Sequence, residues 1–344
     1  MELGICTRYM RHEAAFAALR VADFVNGYGG DVSIYTPTAR PSLLDPRRDA
    51  KCCRSSEVSF TRWAARQTHI LWTHIPHIEQ LQWAKQQRIR TSILVLWHEL
   101  IPAHRAVLAA ADHVICPSSA CLELLRRVGL RNCVYVPWDG GQPLHRKPAA
   151  YRIACPRVLL PLWDGGPRRT EMTLVDVVGR TLRQQPACEI TLACNTSVLR
   201  AAAMRRFMGL TRMFPGRFTV CRNVHPWERF KLFQAHDLTL YPSHGENTGL
   251  TAIQSVELGT PVLGFHFRPL YEVVLPPHSV GVHCREEIGS CGVPFAIPNY
   301  DSLEQSLHQL LQDTDYLREL QRMTLPAANW RRTEFTKSLL SVLQ

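Results

Sequence analysis

Short runs of consecutive apolar residues alternate along the chain with longer stretches whose apolar positions recur every three or four residues. The runs at Leu3–Thr7, Asp31–Tyr35, Ile70–Trp72, Ser92–Leu96, His113–Cys116 and Cys133–Val136 read as buried strands. Between them, Glu13–Asn26, Ile78–Gln87, Pro102–Ala110 and Ser119–Val128 read as helices, the first with Ala, Phe, Leu and Val on one face. A second series begins at Val158–Leu162 and continues with strands Glu189–Ala193, Arg217–Cys221, Leu238–Tyr241 and Val262–Phe265. Its helices fall at Glu171–Arg183, Ser197–Met208, Pro226–Gln234, Leu250–Leu258, Ser302–Gln312, Asp315–Leu325 and Thr333–Val342. The stretch Thr36–Glu57, rich in Pro, Arg and Cys, reads as a long loop. Such alternation predicts an α/β fold with parallel sheets covered on both faces.

The two series are separated by Pro137–Pro156, which carries Gly140, Gly141, Pro143 and Pro148 around His145, Arg146 and Lys147. The expected organisation is a first Rossmann-like domain over 1–140, a linker over 141–156, a second Rossmann-like domain over 157–329 and a last helix over 330–344. Two doubly wound parallel sheets in tandem are expected to face a cleft with their carboxyl edges. A dinucleotide fingerprint G-x-G-x-x-G is absent, which argues against a dehydrogenase.

Composition narrows the class. The 344 residues are 46% hydrophobic and 20% charged, as in a globular protein. No apolar run approaches the roughly 18 residues of a membrane span. The start, Met-Glu-Leu-Gly-Ile-Cys, has neither a basic n-region nor a signal-type core. Twelve scattered cysteines without C-x-x-C pairs read as reduced, buried small hydrophobes in a cytoplasmic protein, with no metal site expected. The net charge of +11 favours an anionic partner: a nucleotide, a nucleic acid or an anionic membrane surface.

Chemistry concentrates in Tyr241–Val274. A buried strand leads into the polar loop His244-Gly-Glu-Asn-Thr-Gly249, a helix from Leu250, a stop at Gly259 and Pro261, and a second buried strand. In open α/β sheets, ligands bind where such units present helix N-termini at the carboxyl ends of strands. Glu246 is the leading candidate, since a carboxylate at a helix mouth accepts hydrogen bonds from sugar hydroxyls. Gly249 permits close backbone approach, and the N–H groups of Thr248, Gly249 and Leu250 suit a phosphate.

These residues resemble the signature of retaining GT-B glycosyltransferases of glycosyltransferase family 4, E-G-F-G-L, three residues, then E-A-M-A-x-G-x-P-V. Glu246-Asn-Thr-Gly249-Leu250 stands for the first part and Gln254-Ser-Val-Glu257-Leu-Gly259-Thr-Pro261-Val262 for the second. The family's second glutamate is Gln254 here, giving an E-x7-Q variant. The resemblance implies GT-B architecture with an N-terminal acceptor domain, a C-terminal nucleotide-sugar domain and a last helix packing back on the first. Glu246 then holds the donor sugar, and Gln254 meets the nucleotide ribose. Arg168 and Arg169, in the Gly-Gly-Pro loop after Leu162, bind the donor diphosphate. The family's earlier arginine falls near Trp163, a second departure.

In the first domain, Trp97-His98-Glu99 fits the family's strand-end histidine beside the transferred sugar, with Glu99 a companion. His74 ends the preceding strand on the acceptor side. The first loop, Thr7-Arg8-Tyr9-Met10-Arg11-His12-Glu13, lacks the family's Gly-Gly pair and offers Arg8, Arg11 and His12 to an anionic acceptor. Ser118 is expected to cap a helix, Asp313-Thr-Asp315 to be a cap and not a metal motif, and Trp330 to be a packing anchor.

The implied reaction moves a sugar from a UDP- or GDP-sugar to an acceptor hydroxyl with retention, without a cofactor or metal, and with domain closure excluding water. Two acceptors stand open. One is a hydroxylated modified base in DNA, as in phage DNA glycosylation; the other is a glycan or glycolipid at the inner membrane face. The corresponding locations are the cytoplasm, DNA or that membrane face. A different class of reading is a catalytically weak nucleotide-sugar-binding pseudoenzyme or regulatory subunit. Oligomeric state has no signal in the chain.

Overall fold

Apolar runs flanked by amphipathic helices build two parallel sheets. The computed structural model describes residues 2–7, 13–36, 52–95, 102–141, 153–163, 171–195, 199–224, 228–246, 248–274, 276–289, 292 and 294–344. The chain divides into two compact units. The first holds Met1–Trp138, Ser290–Val293 and Glu334–Gln344; the second holds Asp139–Gly289 and Pro294–Thr333.

The first unit contains β1 (Glu2–Cys6), α1 (Glu13–Gly27), β2 (Asp31–Thr36), β3 (Cys52–Arg54), α2 (Phe60–Ala64), β4 (His69–Trp72), α3 (Ile78–Gln86), β5 (Arg90–Leu94), α4 (Arg105–Ala110), β6 (His113–Cys116), α5 (Ser119–Arg127) and β7 (Cys133–Tyr135). Its seven-stranded sheet has the order β3-β2-β1-β4-β5-β6-β7, parallel throughout. Two elements lie where Thr36–Glu57 and its surroundings read as loop. β3 pairs with the end of β2, and the short α2 covers β1 with Trp63. The indole occupies the room Gly4 leaves: a Cβ there would stand 2.7 Å from the Trp63 ring. Its Nε1 donates to Ser33 Oγ at 2.9 Å, so the large side chain is buried without an orphaned polar atom. Ser118 caps α5, its Oγ accepting from the Cys121 N–H at 3.2 Å, as its residue type predicts.

The second unit contains β8 (Arg157–Leu162), α6 (Glu171–Gln184), β9 (Glu189–Cys194), α7 (Ala201–Met213), β10 (Phe218–Arg222), α8 (Arg229–Ala235), β11 (Leu238–Tyr241), α9 (Leu250–Glu257), β12 (Val262–His266), β13 (Val280–His283), β14 (Arg285–Ile288), β15 (Pro294–Ile297) and α10 (Tyr300–Gln312). Its parallel sheet has the order β10-β9-β8-β11-β12-β13, and β14 and β15 form an antiparallel pair. In both units the order reverses beside the first strand, at β1/β4 and at β8/β11. Those switch points open a crevice at the carboxyl ends of the strands, where ligands of doubly wound folds bind.

One correction concerns the C-terminus. The pattern predicts two helices, Asp315–Leu325 and Thr333–Val342, yet α11 runs unbroken over Thr314–Leu343 with Pro326 inside it. Proline removes one helical N–H bond, but burial of Leu317, Leu320 and Thr324 before it and Ala328 after it holds the helix together. Asp313 caps its first turn, accepting from the Tyr316 N–H at 2.9 Å, while Asp315 pairs with Arg318. Trp330 is 56% exposed, so it is not the buried anchor its type suggested. The cysteines follow the expected burial only in part: Cys6, Cys116, Cys121, Cys133, Cys188 and Cys194 are buried, whereas Cys53, Cys221 and Cys284 are half-buried and Cys155 is exposed. Burial pushes the Cys188 thiol up to about 12 and that of Cys194 up to about 11. No helix among the described residues is long and apolar enough to cross a membrane.

His69 gives the first unit a pH dependence. It is 2% exposed in β4, hydrogen-bonded through Nε2 to Ser92 Oγ at 2.8 Å, and burial holds it down at about 4. The unfolded chain takes up this proton below about 6.5, whereas the folded chain does not until about pH 4. Stability is therefore full above pH 6.5 and falls by about 3 kcal/mol on acidification to pH 4. Urea unfolding of wild type and His69→Gln across that range should show a flatter profile for the variant.

Candidate active site

The loop after β11 crosses the switch point of the second sheet. Tyr241 ends the strand with its backbone opposite Gly264 of β12. A Cβ on Gly264 would stand 2.8 Å from the Tyr241 carbonyl oxygen, so glycine allows this close pairing. The loop is tied further by the Ala296 N–H of β15, which donates to the His244 carbonyl at 2.7 Å.

Glu246 is 5% exposed within this loop. Its Oε1 accepts from the Tyr241 hydroxyl and from Ser243 Oγ, each at 2.5 Å. Its Oε2 is equally buried and has no hydrogen-bond partner. A buried carboxylate with one oxygen doubly satisfied and the other open is matched to an incoming donor such as a hydroxyl.

Gly249 is the residue before α9 and adopts φ +67°, the left-handed conformation that glycine takes without strain. No side chain caps the helix there, although Thr248 Oγ1 accepts from the Leu250 N–H at 3.2 Å. Thr248, Gly249 and Leu250 are all buried at the helix mouth, where the backbone dipoles favour an anion. Gln254 lies on the same helix at 3% exposure, which excludes a solvated surface glutamine. Its Nε2 is buried without a partner.

The neighbouring strand end contributes residues that no motif marked. Trp163 follows β8 and is 1% exposed, its carbonyl accepting from Asn195 Nδ2 at 2.9 Å. Over its ring, 4.7 Å from the centroid, lies the guanidinium of Arg229, the first residue of α8 and itself buried. A buried arginine from another helix therefore lies against Trp163. Sequence spacing gives no sign of that contact.

The first unit repeats the pattern at its own switch point. Thr7 follows β1, Trp72 ends β4, and Thr73 and His74 follow it, all buried. The hydroxyls of Thr7 and Thr73 and Nε1 of Trp72 are buried without partners. This edge therefore holds unmet polar atoms next to His74. Arg8, Arg11, His12, His98, Glu99, Arg168 and Arg169 lie outside the described residues. No group of three or more His, Cys, Asp or Glu among the described residues forms a metal site.

No protein-family model and no curated protein sequence matches the chain. Solved structures do resemble it. A glycosyltransferase from Rickettsia africae is similar with a TM-score of 0.74 at 10% identity, over 99% of this chain and 97% of that one. The Anabaena protein HepE, solved in complex with UDP and glucose, is similar at 0.66 and 12% over the full length of both. A UDP-N-acetylglucosamine 2-epimerase assigned in Listeria monocytogenes is similar at 0.60 and 11%, over 93% and 91%. At these identities the likeness shows the fold: the chain has the GT-B architecture of two Rossmann-like α/β units.

Two glycines separate conformational need from open space. Gly249→Ala forces a left-handed alanine and sets its methyl 3.0 Å from Leu270, a loss of about 1–2 kcal/mol. Gly209→Ala in α7 meets nothing within 4 Å and should gain about 0.5–1 kcal/mol. Guanidinium unfolding midpoints of the two variants should move in opposite directions.

Proposed function

We propose that the protein is a retaining glycosyltransferase of the family 4 type, using a UDP- or GDP-sugar as donor and needing no metal or other cofactor. The observation that carries this reading is Glu246, buried beside a helix mouth at the switch point with one oxygen held and one open. The fold shared with a glycosyltransferase and with a UDP- and glucose-bound protein supports it, although a 2-epimerase has the same fold. Placement of a carboxylate for a sugar hydroxyl next to backbone N–H groups for a diphosphate favours group transfer from a nucleotide sugar.

In this reading the second unit holds the donor. Glu246 Oε2 accepts a hydrogen bond from a donor-sugar hydroxyl and fixes the anomeric carbon. The N–H groups of Thr248, Gly249 and Leu250, with Arg168 and Arg169, neutralise the diphosphate as the bond from the anomeric carbon to phosphate oxygen breaks. The acceptor oxygen bonds to that carbon on the same face, and its proton passes to the leaving phosphate. Gln254 meets the ribose. His98 and Glu99 flank the sugar, while His74, Arg8, Arg11 and His12 serve the acceptor on the first unit. The unmet hydroxyls of Thr7 and Thr73 beside His74 support a polar ligand on that side.

Donor use is tested by melting shifts and turnover with a panel of nucleotide sugars. Glu246→Gln keeps the shape and the Tyr241 and Ser243 contacts but loses the charge. It should cut kcat/KM by about a hundredfold or more, with little change in nucleoside diphosphate affinity. NMR of the first-formed product should show the anomeric configuration of the donor; inversion, or epimerised free sugar, would sink the reading. Absence of turnover with retained donor binding would favour the pseudoenzyme.

The net charge of +11 supports a polyanionic acceptor surface, either DNA carrying hydroxylated bases or a glycolipid in an anionic membrane. Duplex affinity should fall steeply between 50 and 200 mM salt if DNA is the acceptor, because phosphate contacts release counterions. Vesicle binding without duplex binding would select the membrane glycan.

A further inference from the structure

One helical turn beyond Gln254, Glu257 has no part in the reaction just described, yet it is 2% exposed. Its Oε1 accepts from the Gly140 N–H at 2.8 Å. Gly140 in turn lies directly on Gln254: a Cβ there would stand 3.1 Å from Gln254 Cγ, 3.2 Å from its Cα and 2.7 Å from Glu257 Oε2. Only a glycine lets one peptide group touch both side chains. Arg332 approaches Glu257 Oε2 at 3.9 Å and Asp139 Oδ2 at 4.0 Å, and Asp139 is fully buried. Two buried carboxylates therefore already occupy the corner beside Gln254.

We propose that Glu257 is a positioning residue for the donor nucleotide. By clamping the Gly140 peptide against Gln254, it fixes the amide that meets the ligand, and its charge is the reason position 254 is neutral. The proposal rests on α9 being the donor helix. A carboxylate at 254 would add a third negative charge beside Glu257 and Asp139, and buried like charges disfavour joint ionisation. An amide avoids this and offers Nε2–H groups in place of a second acceptor. Those groups have no protein partner, and a ribose hydroxyl oxygen is the acceptor that fits. The nucleotide is thus met by hydrogen-bond donation from 254, with the buried charge moved one turn along the helix.

The test is a double-mutant cycle of wild type, Gln254→Glu, Glu257→Gln and both together. Melting temperature without ligand is read first, then binding of uridine and guanosine diphosphate, then KM and kcat for the donor. Gln254→Glu should lower the melting temperature and raise KM about tenfold with kcat nearly held. Adding Glu257→Gln should return both values most of the way, because one carboxylate is then removed beside the new one. Glu257→Gln alone should raise KM while barely moving the melting temperature. A Gln254→Glu protein that binds nucleotide as tightly as wild type, or strictly additive effects in both readouts, would falsify the positioning role. If neither diphosphate binds wild type, the donor reading fails and the positioning claim with it. If a diphosphate binds and the cycle is additive, only the positioning claim fails.

Discussion

Burying the Glu246 carboxylate is the constraint around which the second unit is arranged. At 5% exposure, one oxygen draws on two hydroxyls, those of Tyr241 and Ser243. Both donors belong to the segment that leaves β11, so strand end and loop must keep a fixed shape. Gly264 lets β12 lie against the Tyr241 carbonyl, and the Ala296 N–H pins His244 from β15. Gly249 then turns the chain into α9 in a conformation other residues resist. Each of these contacts shapes the loop that holds one carboxylate, whose second oxygen is buried without a hydrogen-bond partner.

Buried and half-buried charges in the second unit are brought together from elements far apart in sequence. Arg229 arrives from α8 and lies over Trp163 at the end of β8. Arg332 arrives from α11 and faces Glu257 and Asp139. The indole face offers a buried guanidinium a favourable cation–π contact. In both places the partner comes from another element, so the pairing exists only in the folded unit.

Parallel-sheet topology was legible because buried strands on both faces read as plain apolar runs, as at His113–Cys116 and Leu238–Tyr241. What escaped were elements whose sequence pattern is weak or misleading. The three-residue β3 and five-residue α2 are too short for a period to show, and α2 is stabilised by Trp63 sitting on Gly4. Hairpin β14–β15 carries charged residues in its first strand and so does not look buried. At Pro326 the local rule says stop, but tertiary burial on both sides overrides it. In the site, Glu246, Gly249 and Gln254 stand out because one loop and one helix hold them in register. Arg229, Glu257 and Gly140 do not, because their partners lie on other elements.

By itself, then, the sequence determined the α/β class, the strand–loop–helix that carries Glu246, and the glycine that opens α9. These depend on local period, turn chemistry and helix termination, all properties of neighbouring residues. Tertiary structure alone decided which oxygen of Glu246 is held and which is open, that Gln254 is buried rather than solvated, and that Arg229 covers Trp163. Those outcomes depend on what distant segments place within a few ångströms, and neither burial nor hydrogen-bond partnership is encoded at a single position.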